Sequence, residues 1–370
     1  MQFIDLAAQQ SRIRSNIDAA IKKVLDHGKY IMGPEVFDLE DRLADYVGVK
    51  HCISCANGTD ALQLVLMARG IGPGDLVFVP SFTFFATAEV IALVGAQAVF
   101  VDIEEDTYNL CPQKLEAEIS RYQDSDLGVA KAIIAVDLFG QPANYPEIER
   151  IAKSNNLYLI EDGAQGFGGE LEGEMACSFG DIATTSFFPA KPLGCYGDGG
   201  AIFTNDDDLA VLIKSIRIHG QGVDKYDNVR IGLNSRLDTI QAAILVEKFK
   251  VFPEEVALRN EVASAYSKAL SEQFIVPFVP GSYRSSWAQY TVRSKLRQRE
   301  SVLNEMKNAG VPSAVYYPAG IHKSGAFQHQ SYDSSQLAVT EKLQAEVFSL
   351  PMHPYLTNKD IEKIIASISE

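Results

Sequence analysis

From about residue 50 onward, short apolar runs alternate with stretches whose apolar residues recur at helical spacing. The runs are LVFVP (76–80), QAVFVDI (97–103), AIIAVDLFG (132–140), LYLIEDGA (157–164) and IATTSFF (182–188), followed by GGAIFTND (199–206). Between them lie segments such as TDALQLVLMARG (59–70) and NYPEIERIAKSNN (144–156). Runs this short and this apolar predict strands buried on both faces, and the helices between them predict βαβ units and a largely parallel sheet. A helix is expected after the last run, through Ile216. Another, around 10–26, precedes all the βα units and is expected to pack apart from the sheet.

The pattern changes after about residue 235. SRLDTIQAAILVEKFKVFPEEVALRNEVASAYSKAL reads as a long helical stretch interrupted near Pro253, bridging two domains. FIVPFVP, AQYTVRS, the helix ESVLNEMKNAG and VPSAVYYP then alternate again, and in the closing TNKDIEKIIASIS, Thr357 and Asp360 have capping-box spacing. The expectation is an α/β protein with a large domain over 1–249 and a smaller α+β domain over 250–370.

Composition narrows the function by exclusion. The 370 residues, 46% of them hydrophobic, are ample for a large core. Net charge is −15, from 33 Lys and Arg against 48 Asp and Glu, which argues against a broad nucleic-acid surface. No apolar run reaches the roughly 18 residues of a membrane span. The opening MQFIDLAAQQSRIRSNIDAA lacks the apolar core of a signal peptide, so a cytoplasmic protein is expected. The cysteines, Cys52, Cys55, Cys111, Cys177 and Cys195, are odd in number and scattered, as in a reducing compartment. Cys52 and Cys55 form C-x-x-C without a second such pair or paired histidines. They read as small buried strand residues, and no metal site is expected.

Three places carry candidate chemistry. In SCANGTDALQLVL (54–66), Asn57-Gly58-Thr59 stands between a strand end and an amphipathic helix, where unpaired N–H groups can receive an anion; an ordinary N-cap is the plainer reading. At 161–162, Glu161 and Asp162 end a buried strand, and alternation allows only one of them to face a given site. Lys191, in SFFPAKPLGCYGDGG, has no acidic neighbour within six residues on either side, and Gly194, Gly197, Gly199 and Gly200 follow it. Desolvation there would lower its pKa and free an amine that attacks carbonyls. Together the three meet the needs of pyridoxal 5'-phosphate: a cradle for its phosphate, a carboxylate for its pyridine nitrogen, a lysine for its aldehyde. One of Phe82, Phe84 and Phe85 could cover a face of the ring, the other two being core.

At these residues the sequence resembles the DegT/DnrJ family of sugar aminotransferases, fold type I pyridoxal-phosphate enzymes. The likeness is carried in order by YIMGPEVFDLEDRLADYVGVKHCISCANGTDAL, VPSFTFFATAE, VDLFGQPA, IEDGAQGFGG, SFFPAKPLGCYGDGGAIFTND, RIHGQ, GLNSRLDTIQAAIL and LPMHPYL. The resemblance implies that Lys191 anchors the cofactor aldehyde and moves protons, and that Asp162 pairs with the pyridine nitrogen. Gln165 would lie near the ring hydroxyl, with Gly58, Thr59 and Ser186 on the phosphate and Phe84 stacked on the ring. Asn234 would reach the phosphate of a neighbouring subunit's cofactor, which implies a homodimer with shared sites. The implied donor is L-glutamate. The implied acceptor is a nucleotide-linked keto sugar, in the branch these blocks suggest a UDP-linked 3-oxo uronate used in O-antigen assembly; a UDP- or dTDP-linked 3-keto or 4-keto deoxyhexose is the alternative. Substrate contacts are expected from Tyr30, Pro34, His219, Arg230, Tyr316 and Tyr317, the last two standing where relatives often carry His-Tyr-Pro. His322 reads as a surface histidine. A family branch with histidine in place of the lysine dehydrates sugars, and Lys191 sets this chain apart from it. A non-catalytic sensor is the alternative of another class.

Overall fold

A computed structural model describes residues 1–123, 127–328 and 334–369. The chain opens with helices α1 (Leu6–His27) and α2 (Pro34–Val47). Strands and helices then alternate: β1 (His51–Cys55), α3 (Gly58–Ala68), β2 (Asp75–Pro80), α4 (Ala86–Leu93), β3 (Gln97–Val101), α5 (Pro112–Gln123), β4 (Val129–Val136), α6 (Tyr145–Ser154) and β5 (Tyr158–Asp162). A short ladder, β6 (Glu170–Leu171) and β7 (Glu174–Met175), precedes β8 (Ile182–Ser186), β9 (Gly200–Thr204) and α7 (Asp207–Ile216). Helices α8 (Thr239–Phe249) and α9 (Phe252–Leu270) lead to β10 (Phe274–Ile275), β11 (Tyr283–Arg284), β12 (Tyr290–Ser294), α10 (Arg299–Asn308), α11 (Ala338–Glu346), β13 (Val347–Leu350) and α12 (Asn358–Ala366).

The main sheet has the order β1-β9-β8-β5-β4-β2-β3. Its pairs from β8 to β3 are parallel, while β9 runs antiparallel to both of its neighbours. The reversal of β9 follows from what lies between it and β8. Residues 187–199 contain no helix, and a parallel return needs a crossover. Both faces of the sheet are buried. Val77, Ile134, Ile160 and Ile202 pack under α3, α4 and α7. On the other face, Phe78, Ile133 and Leu159 meet α5 and α6, and Ala183 and Phe203 meet α2 and α8. This double burial is why the strands read as unbroken apolar runs. Cys52 and Cys55 are buried in β1 as free thiols.

Helix α1 lies away from the sheet, with Ile13 and Ile17 against Ile244 of α8. The helical stretch after residue 235 breaks between Phe249 and Phe252, and Pro253 falls in the first turn of α9, where a missing N–H leaves no hydrogen bond unmade. A second sheet, β10-β12-β13, closes over a core of Val262, Tyr266, Tyr290, Phe348 and Ile364. The expected runs are shorter here. FIVPFVP keeps only Phe274–Ile275 as strand because Pro277 and Pro280 donate no ladder hydrogen bond. VPSAVYYP touches the sheet only through a bridge from Ala314 to Ser349. The capping box of Thr357 and Asp360 is formed at α12. Among the described residues, no helix is long and apolar enough to cross a membrane.

Candidate active site

The carboxyl ends of β1, β5 and β8 converge on one cleft, and each delivers a different chemical group. After β1, Asn57 leaves extended backbone and caps α3, its side-chain oxygen accepting from Asp60 N–H at 2.8 Å. The first turn of α3 is pinned from two sides. Ser186, the last residue of β8, lies so close that a Cβ on Gly58 would stand 2.7 Å from its Cβ. Gly200, the first residue of β9, lies so close that its own Cβ would stand 2.5 Å from the Asn57 carbonyl oxygen. Helix N–H groups at Gly58 and Thr59 and the Ser186 hydroxyl thus stand side by side at the start of α3, where the helix end favours an anion. Gly58→Ala is expected to push Ser186 aside and weaken binding of a phosphate-bearing cofactor by about tenfold or more. An absorbance titration of the apo-protein reads this out.

Alternation separates the two acids of β5. Glu161 turns behind the sheet, its carboxylate accepting from the backbone N–H groups of Cys177 and Phe179. Asp162 turns into the cleft and is 5% exposed. Its Oδ2 accepts from Thr87 Oγ1 at 2.9 Å and its Oδ1 from Ala164 N–H at 3.2 Å. Burial pushes the Asp162 carboxyl above its ordinary value, and the Thr87 hydroxyl and Lys191 pull it back. Lys191 shows the mirror image: burial lowers its pKa and the charge of Asp162 opposes that shift. Lys191 is nonetheless only half-buried as a residue. Among the described residues its Nζ makes no hydrogen bond or ion pair. A lysine so placed gives up its proton more readily than a surface lysine and keeps its amine free for a carbonyl.

The aromatic residues divide as their burial dictates. Phe82 is core, and Phe85 packs on Phe327 with ring centroids 5.8 Å apart. Phe84 projects from the turn before α4 with 55% of its surface exposed. Its ring stands 6.4 Å from that of Tyr317. Tyr317 in turn accepts from Gln165 Nε2 at 3.2 Å, while Gln165 Oε1 accepts from Phe139 N–H at 2.9 Å. Charge interactions of Asp162 with Lys191 and with Tyr317 join Asp162 and Lys191 to the group formed by Tyr317, Gln165 and Phe84, with Tyr316 beside them packing on Phe3.

The other expected residues lie elsewhere in this chain. Tyr30 and Pro34 flank a turn held to the start of α8, where Thr239 N–H donates to Tyr30 O at 2.9 Å. His219, Arg230 and Asn234 belong to a loop closed by an Ile218–Asn234 bridge, and Arg230 Nη1 donates to Ser215 Oγ. Among the described residues, no hydrogen bond, ion pair or ring contact joins these five to the Lys191 cluster. His322 is not at the surface. It is 1% exposed and its Nε2 meets Glu341 Oε1 at 2.9 Å, because α11 folds back over the 3-10 turn that carries it. Thr87 is not among the residues the sequence points to: in SFTFFATAE the aromatics stand out, and nothing local ties a threonine to an acid 75 residues away.

The sequence profile of the DegT/DnrJ/EryC1/StrS aminotransferase family matches residues 11–369. The chain belongs to this family, and it is a pyridoxal-phosphate-dependent aminotransferase of fold type I. It is 52% identical over 370 residues to the UDP-2-acetamido-2-deoxy-3-oxo-D-glucuronate aminotransferase of Pseudomonas aeruginosa, covering 100% of this chain and 99% of the relative. A DegT DnrJ EryC1 StrS aminotransferase from Brucella abortus superposes with a TM-score of 0.97 at 51% identity, over 100% of this chain and 98% of the other. NtdA from Bacillus subtilis, solved with bound cofactor PMP, superposes with a TM-score of 0.91 at 29% identity, over 100% and 84%. The cleft fits such a cofactor on its own terms: an amine without a partner, a buried carboxylate opposite it, an exposed phenyl face and a crowded helix N-terminus.

Proposed function

We propose that this enzyme moves an amino group from L-glutamate to UDP-2-acetamido-2-deoxy-3-oxo-D-glucuronate, in the cytoplasm, for O-antigen or another surface polysaccharide. The observation that carries the substrate is the 52% identity to the Pseudomonas aeruginosa aminotransferase along the whole of both chains. Pyridoxal phosphate, when bound, supplies an aldehyde carbon that takes up the amino group and a protonated ring that draws off electrons. Gly58 and Thr59 N–H groups and the Ser186 hydroxyl hold its phosphate, and the Phe84 ring covers one face. The Asp162 carboxylate, oriented by Thr87, keeps the proton on the pyridine nitrogen. Gln165 reaches the ring hydroxyl. The Lys191 amine would hold the cofactor aldehyde and, when free, would act as the base that moves the proton at the amino acid's α-carbon, and in the opposite direction for the keto sugar. Two half-reactions through one site give ping-pong kinetics.

The remaining residues belong to the acceptor and to a second subunit. Arg230 matches a uronate carboxylate or a diphosphate through its planar fork, with His219 beside it. Tyr316, Tyr317, Tyr30 and Pro34 border the sugar nucleotide. The loop carrying His219, Arg230 and Asn234 also exposes Val223 (96%), Tyr226 (86%) and Ile231 (86%), an apolar surface suited to a partner. We place it against a second copy of this chain, so that Asn234 meets the phosphate bound there. Purified enzyme is expected to turn over the UDP-linked 3-oxo uronate with glutamate, and to sediment as a dimer. Turnover of a dTDP-linked keto deoxyhexose without turnover of the UDP uronate would refute the substrate, and a monomer with full activity would refute the shared site.

A further inference from the structure

Behind Asp162, on the far side of the sheet, stand two more acids that the chemistry above does not use. Asp137, just past the end of β4, and Glu161, on β5, are both 0% exposed. Both Glu161 oxygens are taken by backbone N–H groups, of Cys177 and Phe179. Asp137 Oδ1 accepts from Ala143 N–H at 3.1 Å and from the Tyr145 hydroxyl at 2.8 Å. Asp137 Oδ2 is buried and meets no donor. It lies against the bare Cα of Gly166, where a Cβ would stand 2.2 Å from it, and the Asp137 and Glu161 carboxyls lie within hydrogen-bonding reach of each other. Among the described residues, the titratable groups that bear most on the pair are Tyr145 on α6, Asp162 on β5 and Cys177, with Tyr283 on β11 near Asp137, and none of these four is a cation. Two bare carboxylates set against each other in a dry interior repel strongly, whereas a proton between them turns the contact into an O–H···O bond.

We propose that Asp137 and Glu161 share a proton at neutral pH, and that this bridge positions Asp162 and Gln165 and keeps Asp162 ionised. Burial raises both groups, Asp137 to about 7 and Glu161 well above its ordinary value. The bridge reaches the cleft through the backbone. Asp137 N–H donates to Asp162 O at 3.1 Å, and Phe139 N–H, two residues on, donates to Gln165 Oε1. Gly166 lets the turn that bears Gln165 settle directly on Asp137. Loss of the shared proton would add negative charge behind Asp162 and drive Asp162 itself toward its uncharged form. The bridge stands whatever Asp162 does; its consequence for the site rests on the reading of Asp162 as partner of the pyridine nitrogen.

Infrared spectra of the apo-protein test the bridge. At about pH 8, far above ordinary carboxyls, the wild type is expected to show the C=O stretch of a protonated carboxylic acid. Asp137→Asn is expected to lose that band, since its amide N–H would bond Glu161 in place of the proton. A wild type without the band, or an Asp137→Asn protein that keeps it, overturns the bridge. The positioning role is read from the pH midpoint of the bound cofactor's visible absorbance. Asp137→Asn is expected to hold the wild-type midpoint, and Asp137→Ala, which breaks the bridge and leaves Glu161 only its two main-chain donors, to move it by about one pH unit or more. A band present with an unmoved midpoint in Asp137→Ala overturns the positioning role. A midpoint that also ignores Asp162→Asn places the failure in the reading of Asp162.

Discussion

Lys191→Ala is expected to lower turnover by at least about 10⁴-fold, because it removes both the covalent anchor and the proton carrier. The protein should still fold. Lys191 Nζ holds no other residue in place, and its burial works against the charged ammonium. The sign of the stability change follows from the direction of that shift. The folded pKa lies below the unfolded one, so the cost of burying an ammonium appears as pH falls below the unfolded value and is complete once pH is below the lowered one. The apo-variant is therefore expected to melt no lower than the wild type at neutral pH, with any advantage shrinking as pH is raised toward the ordinary lysine value. Loss of turnover with an unchanged or raised melting temperature, together with loss of the yellow colour that glutamate bleaches, is the expected result. Normal turnover in this variant would end the assignment of Lys191.

Asp162→Asn is expected to cost about 10²- to 10³-fold in turnover, the scale on which a preorganised electrostatic partner acts. The amide fills the same space, and its oxygen can still accept from Thr87. It cannot hold a positive charge on a ring nitrogen. Because burial already works against the carboxylate, the fold should tolerate the change, and the effect should fall on kcat more than on cofactor retention. Thr87→Ala, which leaves the carboxylate but not its orienting hydroxyl, should cost far less, about tenfold. Steady-state kinetics on the three variants give the comparison. An Asp162→Asn enzyme no worse than Thr87→Ala would remove Asp162 from the centre of the site.

The main sheet was legible in the sequence because its strands are buried on both faces and so stand out as runs of Val, Ile, Leu and Phe. Direction was not legible: GGAIFTND announces a strand, yet only the absence of a helix over 187–199 reverses it. Local pattern likewise showed that Glu161 and Asp162 face opposite ways, but not which of them faces the cleft. That is decided by the Cys177 and Phe179 amides, which claim Glu161 from 16 and 18 residues further on. The same limit hid Thr87 and misplaced His322, whose partner Glu341 lies on a helix 19 residues away. Lys191 was readable for the opposite reason. A lone cation among apolar residues and glycines has no local explanation, and such a violation points to a site.

The connection from β8 to β9 carries one more consequence. Phe187 N–H donates to Gly199 O at 2.7 Å and Cys195 N–H to Phe187 O at 2.8 Å, with the Cys195 thiol adding a bond to the same Phe187 oxygen, so the segment bearing Lys191 is laced shut at its base. These bonds tie the two ends of the loop together, so the entropy of closing it is met during folding, once per protein lifetime.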